Sequence, residues 1–576
     1  MVLRLLLLAC LYALAWALPE ATAQPVGTCS LGSSSADLDA NNVRARLYNN
    51  GGFFWRGSGN VYTVPKGGQA NSIFAAGLWL GGMADDGTHR FAGTAYGPWE
   101  FWPGPLDENG SPPDDCADYD RMYSVYDADI RAYEHDGTLT DDLRDWPHHL
   151  GAPVVDGDGI EGNYDLAAGD RPHVYGEQSV WWVMNDAGNT KQWSATPPIG
   201  LELQMQAFSA RCVPDFGAET DLANFAAKAL NHTTYYHFKF IHKGQDVLRD
   251  AYLGWWSDGD LGNAANDFVG VDTLLDMGFY YNGEDFDAGL DGYGDRPPAL
   301  GMLLTKGLDG RSDGRDNDSD GVIDEADERL GFTNMVFYTS DSTPQGNFSS
   351  STIEPYNYLR SIWRDGQPVT FGGTGYGGLE TTKYMFPGDP VTAQYWSEEN
   401  TDGRGNRNTP ADRRFLLSSG PIDFAPGDTT EAVLAIVWAQ DANRLASVVK
   451  LRRAAAAARG ATDALMQYGF CTPPAEPPEP EQPDPNALGF YILRQNYPEP
   501  FSQQTIIRYE VIDTVPVTLT VYDLLGRRVR TLVDGMQSAG VYDVVFEAGD
   551  LPTGLYFYRL EAAGYVSITR RMTLQR

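Results

Sequence analysis

Short runs of alternating apolar and polar residues recur through most of the chain and predict β-strands. Turn-forming Gly, Pro, Asn or Asp residues bound each run. Five of the clearest runs are SVWWVMND (179–186), GLELQMQAFSA (200–210), TTYYHFKFIHKG (233–244), NMVFYTS (334–340) and EAVLAIVWAQ (431–440). The pattern predicts a mainly β fold: a large antiparallel β-sandwich-like body with long loops.

Residues 441–468 carry the only long helical pattern. Leu445, Val448, Val449 and Leu451 give it a partial apolar face, and five consecutive alanines add helix propensity. We expect one helix that closes the body at its C-terminal end.

A proline-rich stretch at 471–487 separates two units. It holds seven prolines and four acids in seventeen positions, which excludes regular structure and favours an extended spacer. The predicted body spans 24–470. The smaller unit, 488–576, has seven short predicted strands, a spacing typical of an immunoglobulin-like β-sandwich.

Four phrases of the smaller unit carry a resemblance to a known family. They are LRQNYPEPF (493–501), VYDLLGRRVRTL (521–532), SAGVYDVVF (538–546) and LPTGLYFYRLEA (551–562). In order and spacing they resemble the C-terminal sorting domain of type IX secretion (Por) substrates. The resemblance implies a β-sandwich that the outer-membrane translocon recognises, with the cargo then released or fixed to surface polysaccharide. One departure is Glu499, where the family commonly has Asn.

The body resembles large uncharacterised exported proteins that carry the same tail. Phrases that support this include IFAAGLWLGG (73–82), WWSDGDLGNAANDFVGVD (255–272) and DRRFLLSSGPIDFAPGDT (412–429). This resemblance implies a shared secreted architecture and no known activity.

The N-terminal residues predict export. Residues 1–23 are typical of a signal peptide: they contain one early Arg, an apolar run from Leu5 to Leu18, and small residues at Ala21 and Ala23. The apolar run is too short to span a membrane.

Four cysteines remain after removal of the signal peptide: Cys29, Cys116, Cys212 and Cys471. In an oxidising compartment they predict up to two disulfides, with three possible pairings.

The net charge of −36 belongs to residues 1–487, because residues 488–576 hold nine Arg and nine acids. A surface of this kind repels nucleic acid and attracts cations, so we expect no nucleic-acid partner. No stretch beyond the signal reaches the length of a transmembrane segment.

One acidic loop has the spacing of a calcium site. DNDSDGVIDEADE (316–328) contains five Asp and two Glu. An EF-hand-type loop uses ligands at positions 1, 3, 5, 7, 9 and 12, with Gly at 6. Gly321 fills position 6, and the predicted Ca²⁺ ligands of the loop 316–327 are Asp316, Asp318, Asp320, the Val322 carbonyl, Asp324 and Asp327. Asp at position 12 and the absence of paired helices favour a dockerin- or thrombospondin-type loop.

Two weaker acidic clusters are alternative ion sites. One comprises Asp156 and Asp158, followed by Asn163 and Asp165; the other comprises Asp258, Asp260, Asp267 and Asp272. Because Asp and Gly also serve ordinary turns, the sequence leaves both open.

Catalytic patterns are missing from the sequence. It contains no HExxH, GxSxG or GxxxxGK[ST] motif, and the five-residue spacing of His232, His237 and His242 argues against a metal triad.

The adjacent pairs Trp181–Trp182 and Trp255–Trp256 should each place one ring in the core and one on the outer face. An outward ring can stack on a sugar, although packing under a loop is more common.

These observations predict a secreted or cell-surface, calcium-stabilised, non-catalytic protein with a structural, adhesion or matrix role. The alternative is an exported hydrolase of polysaccharide or protein, because a catalytic carboxylate pair meets only in space.

Overall fold

The computed structural model describes residues 24–56, 61–211, 222–309, 329–348, 353–469, 492–511, 515–523, 527–538, 540–549, 551–562 and 566–575. The chain divides into two compact units, Met1–Pro473 and Pro474–Arg576. Most regular structure in both is antiparallel β-sheet, which confirms the predicted fold class.

Sheet I of the larger unit has nine strands within the described ranges. Along the sheet they are Ser35–Leu38, Arg44–Tyr48, Gly52–Phe53, Ala75–Met83, Leu248–Gly259, Arg413–Phe424 and Asn334–Tyr338, with Tyr62–Thr63 beside the second and His89–Gly93 beside the fourth.

Sheet II also has nine described strands. Their order is Asp267–Asp272, Met277–Asn282, Ala299–Lys306, Thr429–Ala439, Thr233–His242, Leu201–Ser209, Gln178–Asn185 and Trp102–Pro103, with Tyr123–Tyr126 also paired to Gln178–Asn185. All five quoted strand predictions fall on strands of sheet I or sheet II.

The two sheets enclose the main core. Phe238 of sheet II and Trp255 of sheet I place their ring centroids 5.8 Å apart, and the Trp255 indole N–H points to the sulfur of Met302 at 2.9 Å. Because side chains alternate along a strand, Tyr235 lies on the opposite face of sheet II from Tyr236. Sheet II is therefore covered on both sides.

A long helix, Arg444–Tyr468, covers the outer face of sheet II. Its buried residues recur at helical spacing: Val448, Leu451, Ala455, Ala458 and Leu465. The Asn443 side chain accepts a hydrogen bond from the Ala446 amide at 2.9 Å, a cap that is worth about 1 kcal/mol. Gly469 ends the helix with φ of 69°. The helix begins three residues later than predicted because Asn443 caps it.

Smaller elements decorate the body. The other described helices are Asp127–Asp136, Asp141–Arg144, Leu222–Leu230 and Glu354–Leu359, with 3₁₀ turns at Cys116–Tyr119, His148–Leu150 and Ala264–Asn266 and two-stranded ladders Val154–Val155/Arg171–Pro172 and Leu308–Asp309/Arg329–Leu330. None of these helices, nor Arg444–Tyr468, is long and apolar enough to cross a membrane.

One predicted disulfide joins Cys29 to Cys116, with Cα atoms 5.4 Å apart. The bond packs against the buried ring of Trp102, which belongs to an edge strand of sheet II. It therefore fixes the start of the described chain to the body. Cys212 and Cys471 lie outside the described residues, as do the predicted signal peptide and linker.

The smaller unit has seven described strands in two sheets, as its pattern predicts. One sheet contains Ile492–Leu493, Gln504–Val511 and Gly540–Glu547; the other contains Arg528–Gln537, Val515–Asp523, Gly554–Ala562 and Val566–Leu574. Residues of both sheets share one core, among them Ile507, Phe546, Leu519 and Tyr558. Glu499 accepts a hydrogen bond from the Thr573 amide at 2.9 Å, so its carboxylate ties the entry segment to the last strand.

Candidate metal centre

Three carboxylates converge where two strands of sheet I end. Asp258 lies near the end of strand Leu248–Gly259, opposite Arg414 of strand Arg413–Phe424. Asp260 and Asp412 lie just outside the same pair of strands. Antiparallel pairing thus brings the three together although 152 residues separate Asp260 from Asp412, and their nearest carboxylate oxygens lie within 4.8 Å of one another.

One cation and one phenol contact this cluster. The Arg414 guanidinium lies 3.0 Å from Asp412 and 3.4 Å from Asp258. The Tyr96 hydroxyl donates to Asp258 Oδ2 at 2.5 Å and accepts from Arg414 Nε at 2.5 Å. A single guanidinium faces three carboxylates, so the cluster retains an excess of negative charge.

Burial and mutual repulsion make the ionised cluster costly. Burial raises the pKa of Asp258 to about 7, against a smaller lowering by Arg414 and the Tyr96 hydrogen bond. Burial and then the charge of Asp412 raise the pKa of Asp260 to about 6. Near neutral pH burial and repulsion therefore favour a bound proton or a bound cation at the cluster.

The free oxygens suit a hard divalent cation. Asp258 Oδ1 and Asp412 Oδ1 are buried and accept no hydrogen bond, and the Asp260 carboxylate accepts none within the described part of the chain. Ca²⁺ takes six to eight oxygen ligands; Asp258 Oδ1, Asp412 Oδ1 and the two Asp260 oxygens can supply four, and water would supply the others. The residues present thus fit Ca²⁺, with Asp258 Oδ2 reserved for Tyr96.

The sequence identified part of this cluster and included two residues that do not belong to it. Asp267 is fully buried and accepts a hydrogen bond from the Leu261 amide at 3.1 Å. Asp272 instead lies 3.3 Å from Arg452 of the long helix, which also binds Asp389 at 2.8 Å. Asp412 was missed because only strand pairing brings it near Asp258.

The second candidate ion site is a turn whose carboxylates already accept hydrogen bonds from the turn itself. Asp156 and Asp158 lie near Asp170, which sequence spacing did not indicate. Asp170 accepts from the Gly157 and Asp165 amides at 2.9 and 2.7 Å, while Asp156 accepts from the Asp158 amide at 3.0 Å. The Asn163 side chain donates to Asp158 at 2.9 Å. These oxygens stabilise the loop and make it the weaker cation candidate.

The loop with EF-hand spacing, 316–327, lies outside the described residues. Its six proposed ligands therefore stay a prediction.

The three histidines have separate hydrogen-bond partners. His232 contacts Asn42 and the Lys228 carbonyl at 2.8 and 2.9 Å. His237 lies 3.2 Å from Glu431, and His242 lies 2.9 Å from the Asp246 carbonyl. They form no common site.

All four paired tryptophans are buried. Trp182, Trp255 and Trp256 belong to the main core, while Trp181 packs in a separate cluster beneath the helical segment near Trp146. The outer face of each strand is thus covered, in agreement with the common case of packing under a loop. None of the four can stack on a sugar without rearrangement of the fold.

Comparison with known proteins assigns the smaller unit. Residues 495–575 match the family described as the secretion system C-terminal sorting domain, Por_Secre_tail. The C-terminal unit is a sorting domain. The sorting domain supports export by type IX secretion, to the cell surface or the medium, and implies interaction with that machinery. The match covers no part of the body.

The other comparisons do not assign the body. A polysaccharide lyase shares 7% identity with a TM-score of 0.22, over 73% of this chain and 38% of its own. Dimeric latent PorU from Porphyromonas gingivalis shares 8% identity with a TM-score of 0.15, over 76% of this chain and 35% of its own. This chain spans less than half the length of either, and such scores carry no argument. No curated protein matches the sequence.

Proposed function

We propose that this is a secreted or surface-anchored, calcium-stabilised, non-catalytic protein with a structural, adhesion or matrix role. The sorting domain at 495–575 is the observation that carries the proposal, because it directs a cargo out of the cell. The signal at 1–23 would first deliver the chain to the periplasm, and the sorting domain would then engage the translocon. The body would remain outside the cell, free or fixed to surface polysaccharide.

Calcium suits this location. The acidic body attracts cations, and two of its acidic regions suit Ca²⁺ best: the predicted loop around Asp320 and the cluster of Asp258, Asp260 and Asp412. Extracellular Ca²⁺ modules bind at about 0.1 to 1 mM. At ten times the dissociation constant one site adds only about 1.4 kcal/mol to the free energy of unfolding. That magnitude suits a structural clamp.

The absence of a catalytic motif and the separate partners of the three histidines support a non-catalytic body. One observation favours the alternative, an exported hydrolase: burial raises the pKa values of Asp258 and Asp260 to about 7 and about 6. Carboxyl groups with raised pKa values also serve as general acid and base in hydrolases. Incubation of the purified body with polysaccharides and proteins separates the two. Turnover that Asp260→Asn abolishes would establish the hydrolase.

Export is tested by deleting residues 488–576. We expect the truncated body to fold, with an unchanged melting temperature, and to accumulate in the periplasm. Cell fractionation measures its distribution, and the intact chain is the control. A second arm fuses residues 471–576 to a periplasmic reporter, which should then reach the surface or the medium. Unchanged surface levels of the truncated chain would refute the assignment.

A further inference from the structure

The turn after strand Gln178–Asn185 buries an ion pair completely. The Lys191 ammonium lies 2.7 Å from Asp186 Oδ2, and neither side chain has any exposed surface. Removal of two charges from water is costly, so a buried ion pair stabilises a fold less than its short distance suggests. The same burial keeps solvent away from an amine nitrogen that touches a carboxyl group, and the exclusion of water favours condensation of the two groups over hydrolysis.

Backbone amides hold both oxygens of the Asp186 carboxylate. Oδ1 accepts from the amides of Gly200 and Leu201 at 3.0 and 2.7 Å, and Oδ2 accepts from the amide of Ile199 at 2.6 Å. Two amides on one oxygen have the arrangement of an oxyanion hole, which stabilises the negative charge that develops when a nucleophile attacks the adjoining carbon. The amine on the other oxygen is such a nucleophile once it is neutral.

Two further groups beside the amine suit the same chemistry. Lys191 Nζ donates to the Phe91 carbonyl at 2.6 Å, and this carbonyl can accept the one hydrogen that an amide nitrogen keeps. Glu100 is a second buried acid, and its Oε1 accepts from the Trp193 and Ser194 amides at 3.1 and 2.6 Å. Burial raises the pKa of Glu100, and the nearby charge of Lys191 lowers it by a smaller amount. Glu100 thus offers a second carboxyl group that can hold the amine proton.

We propose that the side chains of Lys191 and Asp186 condense to an intramolecular amide bond. One proton passes from Nζ to Oδ2 along their hydrogen bond, which leaves a neutral amine and a neutral acid. Nζ then attacks Asp186 Cγ, and the negative charge collects on Oδ1 in front of the Gly200 and Leu201 amides. The bond from Cγ to Oδ2 breaks, and Oδ2 leaves with a second proton from Nζ as one water molecule. The reaction consumes no other reactant and leaves the net charge unchanged.

The bond closes the turn on which the start of the described chain lies. The carbonyls of Ala187 and Gly188 accept from the amides of Gly27 and Cys29 at 2.9 and 2.7 Å. The Asn189 side chain donates to the Cys29 carbonyl at 2.9 Å. An amide across residues 186–191 therefore fixes the surface that holds this segment beside its disulfide. The inference does not depend on the calcium proposal, because the ion pair and the carboxylate cluster share no residue.

The test is peptide mass spectrometry of the full mature chain after denaturation, reduction and digestion with trypsin. Trypsin cleaves after Lys and Arg except before Pro, so an unmodified chain gives the separate peptides 145–191 and 192–211. An acylated lysine is not cleaved. We therefore expect a single peptide, 145–211, that is lighter than its sequence by the mass of one water molecule.

Fragment ions locate the loss within that peptide. We expect it between Asp186 and Lys191, and the peptide should resist hydroxylamine. A succinimide at Asp156 or Asp158, each followed by Gly, would also remove one water, but it would leave Lys191 open to trypsin and would react with hydroxylamine.

Lys243 is the matched control in the same digest. Its ammonium lies 2.6 Å from Glu202 Oε2, but its side chain is 27% exposed. Glu202 Oε1 accepts from the Gln204 side chain and, within the described part of the chain, from no pair of backbone amides. We therefore expect complete cleavage after Lys243. The variant Lys191→Arg keeps the positive charge but presents a guanidinium that stays protonated, and it should give peptide 145–191 at full mass.

Cleavage after Lys191 in the wild type, with both peptides at full mass, would overturn the proposal and leave an ordinary buried ion pair. The same loss of water in Lys191→Arg would also overturn it, because the loss would then come from another site. The wild-type digest decides the question even where the variant does not fold, since it is made on the natural chain.

Discussion

The Asp258 carboxylate is buried by the pairing of two strands, so its neighbours must offset the cost of removing its charge from water. Tyr96 and Arg414 satisfy one oxygen, and the other faces Asp260 and Asp412 with no donor. The Asp-x-Asp spacing identified Asp258 and Asp260 from the sequence. It could not identify Asp412 or Tyr96, because their distances from Asp258 depend on strand register and not on sequence separation.

The raised pKa values predict how stability depends on pH without calcium. Between about pH 4 and pH 7 the folded chain keeps protons on Asp258 and Asp260 that the unfolded chain releases. Because the folded state binds more protons at these two carboxyls, their contribution to the free energy of unfolding falls as the pH rises through this range. Carboxyls whose pKa is lowered, such as Asp37 and Asp389, contribute with the opposite sign, so the effect is measured as a difference between variants. In thermal melts in a chelator, the wild type should lose stability relative to Asp258→Asn as the pH rises. Millimolar Ca²⁺ should reduce this relative loss by replacing the protons.

The exposed Asp114→Asn is the matched control for that experiment and should leave the pH dependence unchanged. An identical slope in Asp258→Asn and wild type would mean that Asp258 does not carry the raised pKa.

At the scale of elements, period-two alternation located strands correctly because both sheets bury at least one face. The same rule could not show that the outer faces are covered as well. Trp181 and Trp182 are both buried because helical segments and loops pack over the outer face of their strand. Sequence periodicity reports which residues share a face, but it does not report what covers that face.

The Cys29–Cys116 bond is an element-scale clamp with a measurable contribution. It joins residues 87 apart, and constraint of the unfolded chain over such a loop corresponds to about 4.6 kcal/mol. The double variant Cys29→Ala/Cys116→Ala should unfold at lower denaturant concentration. Its control is Ser30→Ala, at the exposed neighbouring position. Equal midpoints for the double variant and wild type would show that the bond does not stabilise the body.

At the scale of the whole molecule, charge is divided sharply between the units. Residues 488–576 are electrically balanced, whereas residues 1–487 carry the entire acidic excess, most of it in the body. The sequence therefore predicted export and cation affinity, which depend on local phrases and composition.

Calcium should stabilise the body as a whole. A chelator should lower its melting temperature by a few degrees, because clustered carboxylates repel one another without a cation. Asp320→Ala should remove the part of that shift that the loop 316–327 contributes. Mg²⁺ should substitute poorly, since its smaller octahedral shell fits a seven-oxygen site badly. Identical melting in chelator and in millimolar Ca²⁺ would show that neither acidic region binds calcium.

The order of the strands along the chain has a consequence for synthesis. Arg413–Phe424 and Thr429–Ala439 are interior strands of sheet I and sheet II, and they are the last strands of the body to be made. A ribosome that stops before residue 413 leaves both sheets divided, with unpaired edges of the kind that aggregate. The same stop also omits the sorting domain. A chain that carries the export signal has therefore been translated through the two strands that join each sheet into one.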